Sequence, residues 1–176
     1  MRFEPDLVGK RALVIGSGED LNHRQLASWI DNEPNLYVIR CNKFYGLPER
    51  VGTRTHVRFV RQFSWGDRYF PPGLRGGQVV SIFEDTPKQW RRDVARAARV
   101  RVPSCGLLAV EWAYHCCADA VSLIGFGYPA QLEKRYPNGE IDDNLLYDWQ
   151  AEYQYLKNVA LCDFVPLQYD THPDLQ

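Results

Sequence analysis

Two short segments of the 176-residue chain carry residue types suited to gripping an anion. The first is Gly16-Ser17-Gly18, at the end of an apolar run that starts at Arg11. A backbone without Cβ atoms can approach a phosphate closely, and a helix starting just beyond aims its unpaired N–H groups at it. The full dinucleotide-binding pattern needs a third glycine at position 21, where this chain has Leu21. A tight structural turn would use the same glycines, so the segment alone leaves both readings open. The second segment is Pro103-Ser104-Cys105-Gly106, ahead of an apolar helix. Ser104 can cap that helix, which by itself is the simpler account, and Gly106 allows close approach. Asn42 follows a strand and offers a neutral amide, suited either to a ribose or phosphate or to a turn before Lys43.

Proton transfer has four histidines to draw on. His23 follows the first glycine segment and can approach bound phosphates. His56 has the choice of site or solvent. His115, on the apolar helix beside Cys116, reads as a packed core residue. His172 lies in a tail expected to fray. The five cysteines (Cys41, Cys105, Cys116, Cys117, Cys162) are an odd number without CxxC spacing, which points to reduced thiols in a cytosolic protein. No His/Cys/carboxylate spacing suggests a metal, and Asp142 and Asp143 are adjacent rather than a DxD pair. No metal is expected.

These residues need a scaffold. Apolar runs at 11–16, 36–41, 55–60, 79–83 and 120–125 read as strands, with a short one at 164–167. Leu26, Trp29 and Ile30 share a helical face, with Asp20 as the expected N-cap. Pro87–Arg99 suits a basic surface helix, 105–117 an apolar one, and 142–159 an amphipathic one bearing Leu146, Trp149, Tyr153 and Leu156. Strands and helices alternate, which predicts a single α/β domain over 1–176 with a mostly parallel sheet. Two helix starts in such a sheet meet at the carboxyl edge of its strands, where nucleotides bind.

Hydrophobic residues at 45% and charged residues at 24% exclude a disordered or fibrous chain. No apolar run approaches the roughly 20 residues of a membrane span, and the first residues lack the core of a secretion signal. The net charge of −1 conceals an uneven distribution. Residues 50–101 carry twelve Lys/Arg against four Asp/Glu, whereas 102–176 carry three against eleven. Such a basic middle faces solvent in the simplest case, or else a phosphorylated ligand or a nucleic acid.

Three segments carry a resemblance. KRALVIGSGEDL, then LYVIRCNKF, then VGTRT resembles the long sialylmotif of the family 29 sialyltransferases. PSCGLLAVEWAYHCCADAVSLIGFGY resembles their short sialylmotif. YDWQAEYQYL is loosely similar to their last motif, a His followed by Glu ahead of a helix. The matches run in the family's order. The resemblance implies a single Rossmann-like domain and a metal-independent glycosyltransferase that uses a CMP-activated, sialic-acid-like donor. It implies donor contacts from Gly16, Ser17, Gly18 and Asn42, from Ser104, Cys105 and Gly106, and from Phe126 and Gly127 near the cytosine. Its catalytic base falls on Tyr147 and its late acid on Glu152.

Two departures stand out. The family's base is a His, and an ordinary phenol, with a pKa of roughly 10, is a poor base near neutral pH. The family's other late motif also opens on His, and this chain has none between 116 and 171. Replacement bases are His23, His56, Asp148 and Glu152. The animal enzymes' anchor, stem and disulfide are missing, which implies a minimal cytoplasmic relative of bacterial or bacteriophage kind. The expected partners are a nucleotide-sugar donor and an acceptor glycan or other hydroxyl compound. The alternatives are a nucleotide-binding relative without transfer activity, a transferase that modifies nucleic acid held by the basic 50–101 segment, and a structural or interaction protein.

Overall fold

The computed structural model describes residues 5–42, 48–61, 77–126, 147–159 and 162–164. Six strands form one sheet: β1 (Arg11–Ile15), β2 (Leu36–Cys41), β3 (Val57–Val60), β4 (Gln78–Ser81), β5 (Ala120–Ile124) and β6 (Cys162–Phe164). Their order is β4-β3-β2-β1-β5-β6, and every pair is parallel. The helices are α1 (Ala27–Asn32), α2 (Pro48–Val51), α3 (Ile82–Asp85), α4 (Lys88–Ala97), α5 (Cys105–His115) and α6 (Trp149–Asn158), with a 3-10 turn at Glu19–His23. The expected α/β class holds.

The strands are apolar on both faces because both faces are covered. Alternation along β1 sends Ala12 and Val14 into one core and Leu13 and Ile15 into the other. The first core is closed by α5, whose Leu107, Leu108, Val110 and Trp112 are buried, and by Val94 and Ala98 of α4. The second is closed by Leu21, Leu26 and Ile30. Helix α5 sits among sheet, α4 and α6, which is why it can be apolar nearly all round.

Several boundaries differ from the sequence reading. The fourth strand stops at Ser81, and 82–85 is a helical turn closed by Asp85, which accepts from Ser81 N at 2.9 Å. The last strand lies at 162–164, and 165–167, also expected as strand, fall outside the described residues. Asp20 does not cap α1, which begins at Ala27 behind Leu26. Asp20 instead accepts from Gly125 N at 3.0 Å and Arg24 Nη2 at 3.3 Å.

The segment after β2 is held by a buried arginine. Arg40 donates to the carbonyls of Val51, Gly52 and Arg54 at 2.9, 3.0 and 3.3 Å and to Thr55 Oγ1 at 3.0 Å. Burial pulls its guanidinium down to about 9, against the pull of Asp31 in the other direction. Asp31 accepts from the backbone N–H groups of Thr53 and Arg54, each at 2.8 Å. The VGTRT stretch is thus clamped from two sides, and the clamp fixes the end of β2, where Asn42 emerges.

Candidate functional site

Strands β2–β4 lie on one side of β1, and β5 and β6 on the other. Beyond the carboxyl ends of β1 and β5 the connections diverge and leave a crevice. Gly16 and Gly125 sit at this point and touch. Gly16 N donates to Ile124 O at 2.8 Å and Gly18 N to Gly125 O at 2.5 Å. A Cβ at position 16 would collide with the Gly125 carbonyl, and Gly125 itself has φ +71°. The glycines of the first segment therefore serve backbone-to-backbone packing. Two of its three N–H groups are engaged by β5 and its turn, so they do not face a ligand. The segment runs into a 3-10 turn, not an α-helix.

The second segment behaves differently. Ser104 Oγ accepts from Leu107 N at 3.1 Å and caps α5. The first N–H groups of such a helix have no partner within it, and α5 presents its start to the crevice. A Cβ at position 106 would lie 2.8 Å from Phe126 Cε1, so Gly106 makes room for that ring. The Cys105 thiol donates to Phe59 O at 2.9 Å, tying the helix start to the end of β3. Glu152, fully buried, accepts from Ser104 N at 2.5 Å. Tyr155 Oη donates to Glu111 Oε1 at 2.9 Å and pins α6 to α5 a second time. Burial raises both groups of that pair, Tyr155 to about 12.

These elements enclose a cleft of about 340 Å³. Gly16, Ser17, Gly125, Phe126 and Ser104–Gly106 form one end. Asn42 lines it as well, with φ +53° and a buried side-chain oxygen that has no hydrogen-bond partner among the described residues. A left-handed backbone and an unsatisfied amide facing a cleft mark a candidate ligand-binding position. Tyr147 and Trp149 line the cleft too, with their rings 4.9 Å apart. Arg61 Nη1 donates to Tyr147 Oη at 2.9 Å. The remaining wall is basic: besides Arg61 it holds Lys88, Arg91, Arg92 and Arg101, and no acidic residue lines the cleft among the described residues.

The structure brings together Gly16, Ser17, Asn42, Ser104, Cys105, Gly106, Phe126 and Tyr147. It places others apart from the cleft. Gly18 is buried behind it, and His23 is exposed at the end of the 3-10 turn. Glu152 is buried on Ser104 N. Asp148 caps α6 through Ala151 N at 2.9 Å. His56 Nδ1 accepts from Val38 N at 2.9 Å, and its ring stacks on Tyr37. His115, expected in the core, is exposed at the end of α5. Gly127, Asp142, Asp143 and His172 lie outside the described residues. Sequence reasoning missed Arg61, Phe83, Lys88, Arg91, Arg92, Arg101 and Trp149 as individuals. The signal for the basic ones was the charge excess of 50–101, which gave no hint of which arginines face inward. Among the described residues no three His, Cys, Asp or Glu side chains converge as a metal-binding group, and no helix is long and apolar enough to cross a membrane.

No protein-family model matches the chain, and no curated protein matches it significantly. Solved structures do. A mammalian sialyltransferase superposes with a TM-score of 0.58 at 19% identity, covering 89% of this chain and 68% of that one. A mammalian sialyltransferase in complex with Gal-beta-1-3GalNAc-ortho-nitrophenol gives 0.59 at 19% identity, covering 89% and 69%. The chain therefore has a sialyltransferase-like α/β fold.

Proposed function

We propose that the protein is a glycosyltransferase that moves a sugar from a CMP-activated, sialic-acid-like donor to an acceptor hydroxyl without a metal ion. The observation that carries this reading is the cleft at the strand switch point, where Ser17, Asn42 and the start of α5 converge. Asn42 offers its unpaired carbonyl to a ribose or base donor, and Phe126 offers a ring face to the cytosine. The Gly106 amide at the α5 start, together with the helix dipole, faces the phosphate. In the transfer step the acceptor oxygen bonds to the anomeric carbon as the bond to the phosphate oxygen breaks. The phosphate leaves with that electron pair as CMP, stabilised by the helix start. The acceptor's proton passes to a base, and Tyr147 is the residue at the family's base position that also lines the cleft. The reduced, buried thiols of Cys41, Cys105 and Cys116 suit a cytoplasmic location.

A thermal-shift series with CMP, AMP and NAD tests the reading. CMP should raise the melting temperature most, because selective binding stabilises the fold by mass action. Equal or absent shifts would sink it. CMP binding with no turnover of any CMP-sugar would favour a nucleotide-binding protein without transfer activity. Transfer that stops with EDTA and returns with manganese would refute the metal-free mechanism.

A further inference from the structure

Helix α4 has two faces. Val94 and Ala98 enter the core, while Lys88, Arg91, Arg92 and Ala95 form a stripe along the cleft. That spacing of three and four residues places the three cations on one side of the helix. Arg101 joins them just before the Pro103 turn.

Not all of these charges are available to a ligand. Arg91 Nη1 donates to the carbonyls of Ile82 and Thr86, both at 2.6 Å, and holds the α3–α4 corner. Arg61 is engaged by Tyr147. Lys88, Arg92 and Arg101 are exposed and make no hydrogen bond or ion pair with another described residue. Like charges four apart on a helix, as Lys88 and Arg92 are, destabilise it by a few tenths of a kcal/mol. Beside them stands Phe83, 47% exposed, with the Arg61 and Arg91 guanidinium carbons 5.7 and 5.3 Å from its ring centre. Two cations fix that ring at the cleft wall, where it gives a sugar an apolar face to lie on.

The location separates Phe83 from the nucleotide end. Phe83 follows β4, three strands from β1, and at about 4.8 Å per strand that is about 14 Å from the switch point. The start of α5 already faces the donor phosphate at the nucleotide end, so these cations are not needed to meet it. Three free cations remain over.

We infer that Phe83, Lys88, Arg92 and Arg101 form an acceptor subsite for an anionic saccharide, one bearing a phosphate, sulfate or carboxylate. The inference rests on the transferase reading above and gives it a substrate class. The acceptor sugar packs on Phe83, its anionic group lies against the α4 stripe, and its hydroxyl points towards Tyr147.

The test is fluorescence anisotropy with labelled lactose, lactose 6′-phosphate, lactose 6′-sulfate and the corresponding C6 carboxylate, each with CMP at saturation. At least one anionic form should bind about tenfold more tightly than lactose, a difference of about 1.4 kcal/mol shared among three exposed ion pairs. Which form binds best names the anion. The triple variant Lys88→Gln, Arg92→Gln, Arg101→Gln should erase that preference and leave CMP affinity within twofold. All three changes are on exposed side chains, and an unchanged circular dichroism spectrum confirms the fold. Equal binding of neutral and anionic forms, or no saccharide binding at all, overturns the inference. So does a triple variant that loses CMP as strongly as saccharide, because the cations then serve the donor. A single-stranded oligonucleotide that displaces every saccharide overturns it in favour of nucleic acid. Anionic lactose binding in a protein that ignores CMP would instead break the donor reading and leave the anion subsite standing.

Discussion

Asn42 combines two costs that a purely structural residue would avoid, a left-handed backbone and a buried oxygen without a partner among the described residues. Asn42→Gly separates them, because glycine takes φ +53° without strain and removes only the amide. Its melting temperature should match or exceed that of the wild type, while CMP affinity should fall about tenfold, the worth of one hydrogen bond of about 1.4 kcal/mol. Wild-type CMP affinity by titration calorimetry would remove Asn42 from the site. His56 yields a second expectation. Its Nδ1 accepts from Val38 N, so the ring is neutral with its proton on Nε2. Burial, then the charges of Arg54 and Lys10, hold its pKa below the ordinary value. The unfolded chain takes up this proton near pH 6.5 and the folded chain only at lower pH. The stability tied to His56 is therefore complete above about pH 6.5 and declines as pH falls through the folded value. Melting temperature from about pH 7 to about pH 5 should drop less in His56→Gln than in the wild type. Equal slopes would assign the acid sensitivity elsewhere. At this scale the sequence was partly legible: Ser17, Asn42, Ser104 and Phe126 could be picked out by type and resemblance. Glu152 could be picked out but its task could not, because nothing in a sequence distinguishes an acid that handles a proton from one that braces a backbone N–H.

Helix α5 is aimed by its neighbours more than by its own cap. Ser104 N rests on Glu152 of α6, Cys105 on β3, and Gly106 on Phe126 of the β5 turn. Glu152→Ala should leave the Ser104 N–H buried and unpaired, at a cost of about 2–3 kcal/mol. In a chain of this length that is about 5–10 °C of melting temperature. Glu152→Gln keeps a carbonyl acceptor and should lose less than half as much, whereas equal losses would show that the carboxylate charge matters. Gly106→Ala should force Phe126 aside and cost about 1–3 kcal/mol. Phe126→Leu should recover part of it, with a coupling of about 1 kcal/mol in a double-mutant cycle, and strict additivity would refute the contact. Element types were legible from hydrophobic period, since strands buried on both faces and an all-apolar helix leave strong signatures. Their ends were not. The turn at 82–85 extends an apolar run without a break in composition, and Asp20 resembled a helix cap while serving Gly125, 105 residues away.

On the scale of the whole molecule, alternating strands and helices gave the class, but strand order came only from the pairing. The cleft wall draws on residues 16–17, 41–42, 61, 82–83, 88, 91–92, 95, 101–106, 108, 125–126, 147 and 149. A run of basic residues in sequence cannot reveal which of its members the fold turns inward. The same dispersal has a kinetic side. Parallel pairing closes long loops before it gains contacts, so folds of this kind acquire their final arrangement slowly. A fluorescent CMP analogue added during refolding should report binding with the rate of the slowest phase of tryptophan fluorescence. Binding in an earlier phase would mean that the nucleotide end assembles without α6. Glu152 is the reason to expect otherwise, since the helix start that faces the phosphate is held by a residue 48 positions further along the chain. Nucleotide occupancy is then a sign of a finished chain. A half-folded molecule has no weaker version of this site with which to draw on a shared pool of nucleotide, and a nucleotide present in excess stabilises only copies that have already folded correctly.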